Sequence, residues 1–314
     1  MPRWWYFASF FFTVPLHPET LLIDIRNDNN MKKAVFTIAL TLGLQLSLTA
    51  VAQNNNQVAL RVPHFVRPLV EKWVTEYQKS NNDVDFQFVS GKSQDNNNTI
   101  TFTTDDDAVA FARFAVLPVT TKASKAQQLI GSHRLNAKKL KSLFFEKEDF
   151  DEEEEDNDNE QALHIYTGNG QQSVSRFIAS YFKQETANYK GKKISGDDSF
   201  LNTAISRDPL GITFNPLSNI FDLQSREVRS DLALLPLDIN KEGKQVLNEG
   251  HLDHIITLLE NQAYSEIPVG SIGLSYNHTN PVLESFVQWV LVNGTQYVHE
   301  YGLLQLPKKY LAQK

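Results

Sequence analysis

The chain changes character at Leu163-His164-Ile165-Tyr166-Thr167-Gly168-Asn169-Gly170-Gln171-Gln172-Ser173-Val174-Ser175-Arg176-Phe177. A short apolar, β-prone run breaks into Thr167-Gly168-Asn169-Gly170, and Ser173, Phe177, Ile178 and Tyr181 then recur at helical spacing. Strand, glycine loop and helix follow one another. Such a junction aims unpaired backbone N–H groups and the positive end of a helix dipole at one point, so it can receive an anion without a charged side chain. The same pattern also closes α/β units that bind nothing, and the surrounding chain has to decide between the two.

On the C-terminal side, Asn188–Ile194 reads as a strand, Ser199–Ser206 as a short helix and Leu210–Phe214 as a returning strand. Leu232–Ile239 is strand-like around Pro236, His251–Glu260 is helical, Ser271–Tyr276 is a last strand, and Val282–Leu291 and Thr295–Tyr301 are closing helices. On the N-terminal side, Gln57–Val62 is β-prone, and Leu69, Val70, Trp73, Val74 and Tyr77 mark an amphipathic helix. Val84–Val89 alternates as a half-buried strand that runs into Ser90-Gly91-Lys92-Ser93, a second small-residue loop at a strand end. Thr99–Thr103 is strand, and Ala108–Val119 is apolar enough for a central strand buried on both faces. Strands alternating with helices predict an α/β fold with mostly parallel sheets and flanking helices.

Charge is distributed unevenly. The formal net charge is −7, yet 146–160 alone holds 11 acids and one lysine, which leaves 26 acids and 29 bases elsewhere. The body is therefore slightly basic, with no Lys/Arg stripe, so no nucleic-acid partner is expected. The acidic run repels itself and cannot bury apolar area, which predicts a disordered loop; a calcium loop is the rival, but the spacing is irregular and the bend glycine is missing. There is no cysteine, which removes disulfides, thiolate metal sites, a cysteine nucleophile and the lipidated cysteine of a bacterial lipoprotein.

The first thirty residues read as an upstream extension of the true start. Met31-Lys32-Lys33, the apolar 34–50 and Ala50-Val51-Ala52 before Gln53 are the parts of a secretory signal peptide over 31–52. A periplasmic or secreted protein with no stable membrane anchor after cleavage is expected.

No enzymatic constellation emerges. His251 and His254 share a helix face but lack the zinc-protease pattern, and Gly270-Ser271-Ile272-Gly273 precedes a strand where a nucleophile elbow follows one. The expectation is a non-enzyme with no cofactor and no metal.

An ordered series of short motifs carries a resemblance: Arg67-Pro68-Leu69-Val70-Glu71-Lys72-Trp73, Phe111-Ala112-Arg113-Phe114-Ala115-Val116, Leu143-Phe144-Phe145, Ala204–Phe214 around Pro209-Leu210-Gly211-Ile212, Leu235-Pro236-Leu237-Asp238, Phe286-Val287-Gln288-Trp289 and Gly302–Pro307. From Gln57 onward the chain resembles the type 2 periplasmic binding proteins, in particular the phosphate-binding subunit of phosphate ABC transporters. The resemblance implies a two-lobed α/β fold with two crossing strands, lobe I being 53–118 with 223–314 and lobe II 119–222, and a solute in the cleft. It places the ligand contacts at Ser90, Gly91 and Ser93 and at Thr167, Asn169, Gly170, Gln171, Gln172 and Ser173. Val62-Pro63-His64-Phe65 stands where the family has a hydroxyl-rich loop, and the third loop lacks the family's arginine and aspartate. These departures point to a small polar or anionic solute held by neutral donors, delivered to an ABC permease. The alternative is a binding-protein scaffold without oxyanion binding that serves as a periplasmic interaction module.

Overall fold

The computed structural model describes residues 56–91, 97–131, 133–146, 162–170, 173–195 and 198–307. The signal peptide, most of the acidic run, Ser93, Gln171 and Gln172 lie outside the described residues.

Nine strands form one curled sheet: β1 Gln57–Arg61, β2 Asp85–Phe88, β3 Thr99–Thr103, β4 Val109–Thr121, β5 His164–Gly168, β6 Lys192–Ile194, β7 Gly211–Pro216, β8 Leu232–Leu234 and β9 Val269–Ser275. The order is β2-β1-β3-β9-β4-β7-β5-β6, with β8 set against β4. Parallel pairing lies toward the two ends (β1 with β2 and β3, β5 with β6 and β7), while β3–β9 and the strands around β4 pair antiparallel.

The long strand β4 links the two halves. Val109–Ala115 pairs with β9, and Val116–Thr120 pairs with β7, so one strand belongs to both half-sheets. Its residues from Phe114 to Thr120 are buried on both faces, as the apolar run predicts.

The helices are α1 Arg67–Gln78, α2 Lys125–Ile130, α3 Ala137–Phe144, α4 Ser175–Tyr181, α5 Ser199–Ser206, α6 Leu217–Ile220, α7 Lys241–Glu249, α8 Leu252–Asn261 and α9 Pro281–Val292. Proline near the N-terminus opens α1 and α9, where its missing N–H costs nothing. Asn280, Asn240, Asn136 and Ser124 cap α9, α7, α3 and α2 with their side chains. The apolar faces of α1 and α9 meet the first half-sheet in an aromatic core: Trp73 stacks edge-on to Phe111 at 4.9 Å, and Tyr77 meets Phe286 at 5.1 Å.

Four sequence expectations change. The strand over Leu232–Ile239 shortens to β8, because Pro236 has no N–H for a ladder. Asn188–Ile194 yields strand only at β6, after a 3₁₀ turn at Thr186–Asn188. The last helix is a 3₁₀ segment, Gly294–Tyr301. Helices α6 and α7 were not anticipated.

Candidate functional site

Strand β5 lies between β6 and β7 and delivers the Thr167–Ser173 loop to the start of α4. The junction has the predicted form. One of its N–H groups, that of Val174, already has an anion. Asp198, from the segment that opens α5, sits at the start of α4 and is only 2% exposed. Its Oδ2 accepts the Val174 N–H at 2.8 Å, and its Oδ1 accepts the Ser173 hydroxyl at 2.5 Å. The Ser173 oxygen in turn accepts the Ser175 N–H at 3.1 Å, and Ser175 Oγ accepts the Gly168 N–H at 3.0 Å.

Gly168 is required for this closeness, since a Cβ there would lie 2.8 Å from Asp198 Oδ1. Helix α4 has no side-chain cap of its own, so a carboxylate 24 residues away in sequence performs that task. Burial, and then the charge of Asp198, push the nearby Tyr189 hydroxyl far above its ordinary range; that hydroxyl donates to the Ser175 carbonyl at 2.9 Å.

The remaining predicted contacts scatter. Thr167 is buried and its hydroxyl has no partner, Asn169 is exposed with its N–H on the Ile194 carbonyl, and Gly170 accepts the Ser173 N–H at 3.1 Å. Ser90 and Gly91 are exposed at the end of β2, with Gly91 at φ +81°. The first loop forms a 3₁₀ turn at His64–Val66 whose Phe65 points inward.

Aromatic rings join the first loop to α4 across β4. Phe65 meets Phe114 of β4 at 5.2 Å, and Phe114 meets Phe177 of α4 at 4.8 Å. Gly270 of β9 leaves room for both rings, because a Cβ there would lie 2.5 Å from Phe177 Cε2. A relay continues through Tyr181 and Phe182 to Phe214 of β7. The first loop, β4 and α4 thus touch through hydrocarbon.

His251 and His254 face each other at the start of α8 with rings 4.8 Å apart, and His254 Nδ1 lies 3.1 Å from Glu249. Ser271 lies inside β9, paired with Arg113. Among the described residues no three His, Asp or Glu side chains converge as a metal site.

Sequence reasoning missed Asp198. It sits next to Gly196-Asp197, which reads as an ordinary polar turn, and nothing local ties it to α4; an acid just before a helix was the available signal.

No known family model matches the sequence, and no curated protein does. Solved structures are similar. A protein of Clostridium perfringens assigned as a phosphate ABC transporter substrate-binding protein, with phosphate bound, aligns at TM-score 0.53 and 12% identity over 80% of this chain and 100% of its own. An ABC-type phosphate transport receptor of Vibrio cholerae aligns at TM-score 0.46 and 10% identity over 80% and 100%, and PstS of Borrelia burgdorferi at 0.42 and 12% over 80% and 99%. The chain has the two-lobed type 2 periplasmic-binding-protein fold.

Proposed function

We propose that this chain is an exported solute-binding protein whose solute is a small polar molecule other than a free oxyanion, held in the cleft between lobe I (53–118 and 223–314) and lobe II (119–222) and passed to a permease. The observation that carries the reading is the Asp198 carboxylate on the Val174 N–H and the Ser173 hydroxyl. A second anion at this helix start would face that charge at short range. Two like charges 4 Å apart repel by about 4 kcal/mol at an effective dielectric constant near 20, roughly three powers of ten in affinity. The donors that would have to outweigh this are absent: the first loop carries no hydroxyl, and the third carries no arginine.

A second reading draws on the ring relay from Phe65 through Phe114 to Phe177. Apolar contact between the first loop and α4 favours a closed scaffold that acts as a periplasmic interaction module and carries no solute.

Titrating the purified mature protein with phosphate, sulfate and molybdate, followed by calorimetry, tests the reading. No saturable heat below millimolar concentration is expected for any of the three. Submillimolar binding of one of them would contradict it.

A further inference from the structure

A cavity of about 280 Å³ opens beside the ring relay, between the first loop and helices α5 and α6. His64 and Pro68 line one wall, and Asn202, Thr203, Ser206 and Asn219 line the other. Apart from His64, which belongs to the first loop, these residues lie outside the three loops that the family resemblance marks. Asn202, Thr203 and Ser206 share one face of α5 at spacings of three and four, so the helix turns a neutral polar stripe to the cavity.

The wall is fixed by a ring of amides. Asn215, fully buried, donates to Asn202 Oδ1 at 2.9 Å; Asn219 donates to Asn215 Oδ1 at 2.8 Å; Asn202 donates to the Asn219 carbonyl at 2.8 Å. Asn215 also donates to the Asp198 carbonyl, which ties the ring to the residue that fills the α4 position. The ring uses both amide hydrogens of Asn215 and one each of Asn202 and Asn219, and it leaves the Asn219 side-chain oxygen as an oriented acceptor. Ser206 gives its hydrogen to the Thr203 carbonyl, so its oxygen is also an acceptor. Among the described residues the Thr203 hydroxyl and the His64 ring have no hydrogen-bond partner within the chain.

The charge at this cavity is balanced. Arg229 and Asp231 lie on its rim 3.5 Å from each other, so neither sign is favoured inside. A wall of amides and hydroxyls without net charge, offering both acceptors and donors, selects an uncharged ligand with several hydroxyl groups, each of which gives and takes hydrogen bonds. Ligand pockets start at about 300 Å³, so the space suits a short polyol or one sugar ring and excludes an oligosaccharide.

We infer that this cavity is the solute site, and that its ligand is a small uncharged polyhydroxyl compound. The inference rests on the solute-binding reading above and adds the place and the ligand class to it.

The test is a calorimetric panel of glycerol, erythritol, myo-inositol, ribose and glucose, with phosphate alongside, on the wild type and on Thr203→Trp and Thr203→Ser. Thr203 is exposed, so the indole blocks the cavity without disturbing the core, and equal melting temperatures check this. At least one polyol or sugar should bind saturably, weaken about tenfold or more in Thr203→Trp and persist in Thr203→Ser. Sugar binding that Thr203→Trp leaves intact would overturn the site while the solute-binding reading stands. No binding by any neutral member overturns the ligand class, and phosphate binding below millimolar overturns both.

Discussion

At the scale of single residues, the decisive atom pair is Asp198 Oδ2 with the Val174 N–H. A helix start needs an acceptor, and in a phosphate carrier the ligand can be that acceptor; here a side chain of the same protein provides it. The consequence is that Asp198 acts as a structural group. Asp198→Ala would leave the Val174 N–H without its acceptor in a nearly dry site, while the Ser173 hydroxyl keeps Ser175 Oγ at 3.0 Å, and a loss of about 1–3 kcal/mol in a urea melt is expected; Asp198→Asn keeps an acceptor for the Val174 N–H and should lose less. Equal stability of the Ala variant and the wild type would mean the contact contributes nothing. The sequence shows Thr167-Gly168-Asn169-Gly170 openly, because glycines and a change of period are local signals. The occupant of the loop is invisible there, because the contact between Val174 and Asp198 is set by how β6 returns beside β5.

At the scale of elements, the strands and amphipathic helices were readable wherever burial imposes a period. The central strand β4 and the aromatic face of α1 are of this kind, Trp73 and Tyr77 lying one turn apart against Phe111 and Phe286. Helix α7 escaped because few of its residues are apolar: only Gly243 and Leu247 are buried, and its marks are the Asn240 cap and Gly250 in the left-handed region at φ +68°. One tie between elements makes a pH prediction. Asp208, at the turn into β7, accepts from Tyr166 of β5 at 2.8 Å and lies 2.7 Å from the His164 ring, also on β5. Burial alone would raise the Asp208 carboxyl, but the hydrogen bonds from His164, the Leu210 N–H and Tyr166 together hold it below its ordinary 3.8. The same burial, with the bond to Asp208, pushes the Tyr166 hydroxyl up to about 12. A carboxyl with a depressed folded value stabilises fully above its unfolded value and loses that contribution as pH falls through the folded one. Stability should therefore decline below about pH 4, and Asp208→Asn should flatten part of that decline; identical acid profiles would remove the tie from the account.

At the scale of the whole molecule, the shared strand β4 joins the two half-sheets, and the relay from Phe65 to Phe214 runs alongside it. The binding-protein architecture is present, and in the proposed reading a carboxylate and rings stand where groups that grip an oxyanion would be needed. The order of the motifs along the chain carried that architecture, whereas the chemistry of the cleft depends on residues distant in sequence. A crystal structure of the mature protein grown in concentrated phosphate tests the account most directly. It should show Asp198 on the Val174 N–H and the Ser173 hydroxyl with no phosphate between them; a phosphate seated on α4, with Asp198 displaced, would contradict the account.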